Sequence, residues 1–321
     1  MLSALILAFG AGPPVAPPPV KLLIAFSSYR ERRLHPRIHF YEHDGVGSGK
    51  IVGGIDPVAQ RSDHQPRLSA DGRWCAFSAE LENQTSRILL WDRKEKKLVA
   101  DLPKLNDSPN AQLHPALSGD GSLLAFSAWD RPGVSPRWHV LLYDVPGKKL
   151  LDVPGLNKPS EDARMPSISG DGKTLAFVRL KRGASTDLHL HDRAAGKGID
   201  APPGLNSPKL DIEPSLSRDG NLVAFVSDRA GGKGGRDIHL FDRAKGKLVP
   251  LPGLNSAAHE QSPSLSPGGR FIAFVSERTK GEGERDVWLY DRARGRLLPT
   301  PGLNSKAEEL SPCVTVLEGK E

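Results

Sequence analysis

The sequence predicts an all-β fold: a six-bladed β-propeller of four-stranded blades, closed by a blade shared between the N- and C-termini. Three observations point to it. Close copies of the stretch running from Glu213-Pro214 to Val226-Ser227 begin at Pro66, Pro115, Pro166, Pro214 and Pro263, with a frayed copy at Pro312, so successive starts lie 49, 51, 48, 49 and 49 residues apart. A repeat of that length made of short strands is the signature of a propeller or array. The 33 Gly and 28 Pro punctuate the chain too often for long helices. Finally, one unit is divided: its second half stands alone at Lys21 to Ser28, and its first half stands alone after Ser311. Pairing the two would close a ring and remove two exposed sheet edges.

The elements follow from one unit. In the copy beginning at Pro214, strands are expected at Pro214 to Ser217, Leu222 to Ser227, Asp237 to Asp242 and Lys247 to Pro252. Asp219-Gly220 makes the first turn, because a tight hairpin needs residues that accept positive φ. The dipeptide recurs at Asp71-Gly72, Asp120-Gly121 and Asp171-Gly172, whereas Gly268-Gly269 keeps the freedom and drops the carboxylate, so these aspartates serve turns. The second strands carry Ala-Phe and read as short apolar runs, as expected of strands buried on both faces. Third strands end in Asp, and fourth strands run into Leu-Asn at 105–106, 156–157, 205–206, 254–255 and 303–304, a structural turn by its repetition.

One domain, residues 20–321, is expected, with a composite blade of 20–57 plus 311–321. Residues 1–19 read as a leader. Met1 to Ala16 is an apolar run followed by small residues and proline, with Ala8-Phe9-Gly10 as a signal-peptide cleavage site; the alternative is a loosely packed N-terminus. The run is too short to span a bilayer as a helix. Cys75 and Cys313 stand in different repeats, leaving two readings, a disulfide or two buried free thiols.

The repeat unit resembles the WD-like β-propeller repeats of the TolB family, in Pro214 to Ser227 with Arg236-Asp237-Ile238 to Asp242, and in Pro263 to Ser276 with Arg285-Asp286-Val287 to Asp291. The resemblance covers about residues 20 to 321. It implies a periplasmic or secreted propeller that works through partners, or a propeller of the kind found beside the hydrolase domain of prolyl oligopeptidase-like enzymes. The family's extra N-terminal α/β domain is not expected here, and neither is a catalytic domain after the propeller.

Function is sought on the two faces. One collects the turns within blades, with Lys94, Lys96, Lys97, Lys148, Lys149, Lys247 and Arg296 among the residues behind a formal charge of +6. A solvated rim is the favoured reading of this face over an anion-binding surface. Nucleic acid is not expected, since no aromatic stripe accompanies the cations. The other face carries the connections between blades. Immediately before each repeat proline stand Gln65, His114, Met165, Glu213, Ser262 and Ser311, and two positions earlier Asp63, Gln112, Ala163, Asp211, Glu260 and Glu309. These twelve are expected to surround the channel mouth, and Asp63, His64, Gln65, His114, Asp211, Glu213, Glu260 and Glu309 are the candidate ligand-binding residues. Variation on a repeated framework is what a site grafted on a scaffold looks like. Converging carboxylates and histidine would suit a divalent cation or a polar small molecule, against a hydrated mouth.

No catalytic motif accompanies them: there is no Gly-x-Ser-x-Gly elbow, no His-Glu-x-x-His and no Gly-x-x-x-x-Gly-Lys-Ser/Thr. The expectation is therefore a monomeric, exported, non-enzymatic propeller without a dedicated cofactor, binding a protein, peptide or envelope component. The alternative is a propeller lyase or hydrolase with a metal or histidine site at the channel mouth.

Overall fold

The computed structural model describes residues 20–30, 34–55, 61–81, 85–106, 111–130, 137–158, 160–180, 186–319 and 321. The expected leader, residues 1–19, lies outside them. The described residues form strands and turns, and no helix among them is long and apolar enough to cross a membrane.

Six four-stranded antiparallel sheets follow one another along the chain. The composite blade holds β1 (Lys21–Ser28), β2 (Arg37–His43) and β3 (Gly49–Gly54). The second has β4 (Ser62–Leu68), β5 (Trp74–Glu80), β6 (Ser86–Asp92) and β7 (Lys97–Leu98). The third has β8 (Gln112–Leu117), β9 (Leu123–Asp130), β10 (Arg137–Asp144) and β11 (Lys149–Leu151). The fourth has β12 (Asp162–Ile168), β13 (Thr174–Leu180), β14 (Thr186–Asp192) and β15 (Lys197–Ile199). The fifth has β16 (Asp211–Leu216), β17 (Leu222–Ser227), β18 (Asp237–Asp242) and β19 (Lys247–Leu248). The sixth has β20 (Glu260–Leu265), β21 (Phe271–Ser276), β22 (Asp286–Asp291) and β23 (Arg296–Leu298). The last strand, β24 (Glu309–Glu318), returns to the composite blade and pairs with β1 in the register Leu23 to Thr315, Ile24 to Val314 and Ala25 to Cys313. Both termini thus build one blade, and the ring closes.

Burial follows the strand alternation. On β17, Val223 and Phe225 join Ala176, Val178 and Leu216 on one side, while Ala224 and Val226 join Ile272 and Phe274 on the other. Middle strands are therefore packed on both faces, which is why they read as apolar runs. The Leu-Asn pairs have a structural reason too. Asn255 accepts the Ile238 amide N–H and donates to the Ile238 carbonyl, both at 2.9 Å, and tethers the inter-blade connection to the third strand. In the first turn, Asp219 accepts from the Ser217 hydroxyl (2.6 Å) and the Asn221 amide (2.9 Å), while Gly220 sits at φ 68°. The two cysteines are free and buried, in one cluster.

Two expectations change. The fourth strand of the fifth blade is short, Lys247–Leu248, and its first strand begins at Asp211 rather than Pro214. Asp211 and Glu213 are therefore strand residues, not loop residues.

Candidate functional site

The inner strands β4, β8, β12, β16, β20 and β24 line the central channel. In β4, β12, β16 and β20 the pairing with the second strand slips at the residue before the repeat proline, and β8 and β24 slip at the same place. The residue at that slip is left-handed in every blade: φ is 55° at Gln65, 54° at His114, 55° at Met165, 54° at Glu213, 53° at Ser262 and 50° at Ser311. None is glycine, so each blade holds a side chain in a sparsely populated conformation that only the surrounding sheet can enforce.

This bulge decides which candidates reach the channel. In a regular strand, residues two apart share a face. The extra residue breaks that rule and turns one of them away. Gln65, His114, Met165, Glu213, Ser262 and Ser311 line a chamber of about 70 Å³ at the mouth. The acids two places earlier do not. Asp63, Asp211, Glu260 and Glu309 are wholly shielded from solvent, each held by an arginine: Arg61 at 2.6 Å, Arg229 at 2.7 Å, Arg278 at 3.2 Å and Arg30 at 3.4 Å. Three of those arginines also donate to the connection from the preceding blade, Arg30 to the Leu303 carbonyl, Arg229 to that of Leu205 (2.7 Å) and Arg278 to that of Leu254 (2.7 Å). They lie over their own blade's phenylalanine, Arg229 4.8 Å from the Phe225 ring centre. The expected ring of twelve is thus two sets, one lining the channel and one locking blades together. His64 belongs to neither; its Nε2 is 3.9 Å from Glu80 on the second strand. Among the described residues no group of three or more His, Cys, Asp and Glu side chains gathers to hold a metal ion, because the expected carboxylates already face arginines.

Sequence reasoning missed Arg67. It follows the repeat proline, in a column that is otherwise Ala116, Ser167, Ser215, Ser264 and Cys313. A single long cation in a column of small residues was the available signal. The serines of that column bind the next blade: Ser215 accepts the Leu265 amide (2.9 Å) and Ser264 that of Val314 (3.1 Å). Arg67 instead enters the channel, lining both the mouth chamber and a second one of about 80 Å³ beneath it. The blade locks also had a signal, the Ser-x-Arg after the second strand at Ser28 to Arg30, Ser227 to Arg229 and Ser276 to Arg278.

Three groups set the electrostatics of the mouth. Burial, with Arg67 and Arg164 nearby, pulls the His114 imidazole down to about 4, so it is neutral at physiological pH. Its backbone N–H donates to Gln65 Oε1 of the preceding blade (2.9 Å), while its buried Nδ1 has no partner. Burial raises the Glu213 carboxyl, opposed by the Ser262 amide, which donates to it at 2.5 Å, and by Arg67 and Arg236. The far end of the channel is girdled by backbone hydrogen bonds between successive first turns, among them Ala70 to Gly119 (2.7 Å), Gly119 to Gly170 (2.9 Å) and Arg218 to Pro267 (2.8 Å). The chemically varied end is the mouth.

The fold and this channel define the class: a six-bladed β-propeller with its ring closed by the two termini, a fold similar to that of solved TolB structures. No family model matches the sequence, and no curated protein does. Solved structures do match. TolB from Acinetobacter baumannii superposes with a TM-score of 0.60 at 17% identity over 92% of this chain and 66% of that one. A protein assigned as TolB from Agrobacterium tumefaciens gives 0.55 at 16% over 94% of this chain and 100% of that one. The hydrazine synthase of Kuenenia stuttgartiensis gives 0.61 at 9% over 94% of this chain and 47% of that one. At these identities the likeness is one of fold.

Proposed function

We propose that this is an exported, non-enzymatic, monomeric propeller, periplasmic or secreted, that binds a protein, peptide or envelope component through the face carrying the inter-blade connections. One observation carries the reading: six left-handed positions hold side chains of five kinds, only the serine repeating, around one mouth on a framework that otherwise repeats. A scaffold that keeps the backbone geometry while varying the side chain suits recognition. The same face exposes Leu34, 89% accessible in the connection between β1 and β2. A hydrolase or lyase reading would draw on His114 and Glu213, but no hydrogen bond joins them among the described residues, so the binding reading is preferred.

The test is affinity capture from an envelope fraction of the source organism, with the wild-type chain beside a Leu34→Asp, His114→Ala, Met165→Ala variant. Loss of the same captured polypeptides from the folded variant supports the reading. Identical capture by both chains counts against this face.

A further inference from the structure

The mouth chamber contains chemistry that docking of a polypeptide does not require. Arg67 on β4 and Glu213 on β16 stand three blades apart in a ring of six, on opposite walls of one cavity. Among the described residues no ion pair joins them. Arg67 donates to the neighbouring Pro66 carbonyl at 2.8 Å, which leaves most of its five N–H groups free. Glu213 accepts the Ser262 amide on Oε2, which leaves Oε1. Between them the buried Nδ1 of His114 has no partner.

We infer that this chamber binds a small zwitterion of the α-amino acid class, its carboxylate on Arg67 and its ammonium on Glu213. Charge balance selects the class. Among the residues that line the chamber, the Arg67 guanidinium, an ionised Glu213 carboxylate and a neutral imidazole sum to zero, with Arg164 and Arg236 standing outside the lining, and a ligand carrying one charge would satisfy one wall and leave the other desolvated without a partner. A ligand carrying both signs answers both walls at once. Charge-assisted contacts of this kind, above all a carboxylate on the guanidinium fork, are the strong ones. Size narrows it further. A chamber of about 70 Å³ has room for roughly two to three waters at the ~30 Å³ each fills in the liquid, which is the scale of the smallest amino acids, glycine first and alanine next. Met165 and the ring of prolines offer an apolar wall for the methyl group. The inference stands apart from whether a polypeptide docks above the mouth.

Titration calorimetry on the full chain tests it, with glycine and L-alanine as probes and with acetate and ethylamine as the single-charge controls. At least one of the two amino acids is expected to bind one to one, about tenfold or more tighter than either control. Arg67→Ser supplies the residue that three other blades carry at this place, and Glu213→Gln keeps an acceptor for the Ser262 amide. Each is expected to weaken amino-acid binding by about tenfold or more. Binding of neither amino acid, acetate or ethylamine binding as tightly, or unchanged affinity in Glu213→Gln would each overturn the inference. Should Arg67→Ser fail to fold, Glu213→Gln decides alone.

Discussion

The Arg229 guanidinium meets the Asp211 carboxylate at 2.7 Å where the acid is fully shielded from water. Asp211 also accepts the Ser207 amide (2.6 Å) and hydroxyl (2.9 Å), while Arg229 holds the carbonyl of Leu205 from the preceding connection. Removing one member of such a buried pair strands the other. Asp211→Ala is therefore expected to cost about 3–5 kcal/mol, read as a lower urea midpoint. Replacing both members by apolar residues, Asp211→Leu with Arg229→Met, is expected to recover much of the loss. Equal loss in single and double variants would contradict the lock.

Phe225 is completely buried between the fourth and fifth blades. Phe225→Ala is expected to cost about 3–5 kcal/mol, the transfer loss plus the cavity left behind. A thermal midpoint equal to that of the unaltered chain would contradict the packing.

What was legible in the sequence was whatever repeats. Asp219-Gly220 signals its turn because glycine there accepts φ 68°, and the split unit around Ala25 and Cys313 signals the closure that their pairing makes. The bulge was not legible. Gln65, Met165 and Glu213 carry no preference for positive φ, and His114 alone among them belongs to a type enriched there, so nothing shared by these side chains announces the left-handed turn that sends Glu213 inward and Asp211 into the blade interface. Without it, residues two apart are assigned to one face, and the blade locks merge with the channel lining. Arg67 was readable as the odd member of its column, but only once that column was known to face the channel.

Both thiols are predicted to be inert in the folded protein. Burial pushes the Cys75 thiol up, with Cys313 adding to it, and Cys313 Sγ accepts the Leu68 amide at 3.2 Å. A thiol must ionise to react. Alkylation followed by mass spectrometry is expected to modify neither residue in native buffer and both in denaturant. Rapid native labelling of Cys75, which is wholly buried between the composite and second blades, would mean that this core opens.

His114 makes stability pH-dependent in a definite direction. Its value is 6.5 in the unfolded chain and about 4 in the folded one, so between these limits the unfolded chain binds more protons. Stability is then full above the upper value and falls as the pH drops towards the lower one, by up to about 3 kcal/mol. Arg67 and Arg164 face the imidazole and sharpen the effect, while the raised Glu213 carboxyl works in the opposite sense, favouring the folded state at low pH. His114→Gln is expected to lose less stability than the wild type between about pH 7 and about pH 4, measured as urea midpoints. Parallel pH profiles for the two chains would remove His114 as the cause.

Closure by β24 makes the severest demand. Deleting residues 311–321 leaves β1 without the partner that meets Leu22 to Ala25, removes Val314 from one inter-blade core and Cys313 from the next, and strips the Ser264 hydroxyl of the amide it accepts. An apolar strand edge then faces solvent, which invites pairing with a second chain. The truncated protein is expected to melt earlier than the full chain and to aggregate as its concentration rises. A synthetic peptide with the sequence of residues 309–318, supplied in trans, is expected to pair with β1 and restore part of the midpoint, as an added strand does at any open sheet edge. A truncated chain that melts with the full one, and ignores the peptide, would show that the ring does not depend on its shared blade.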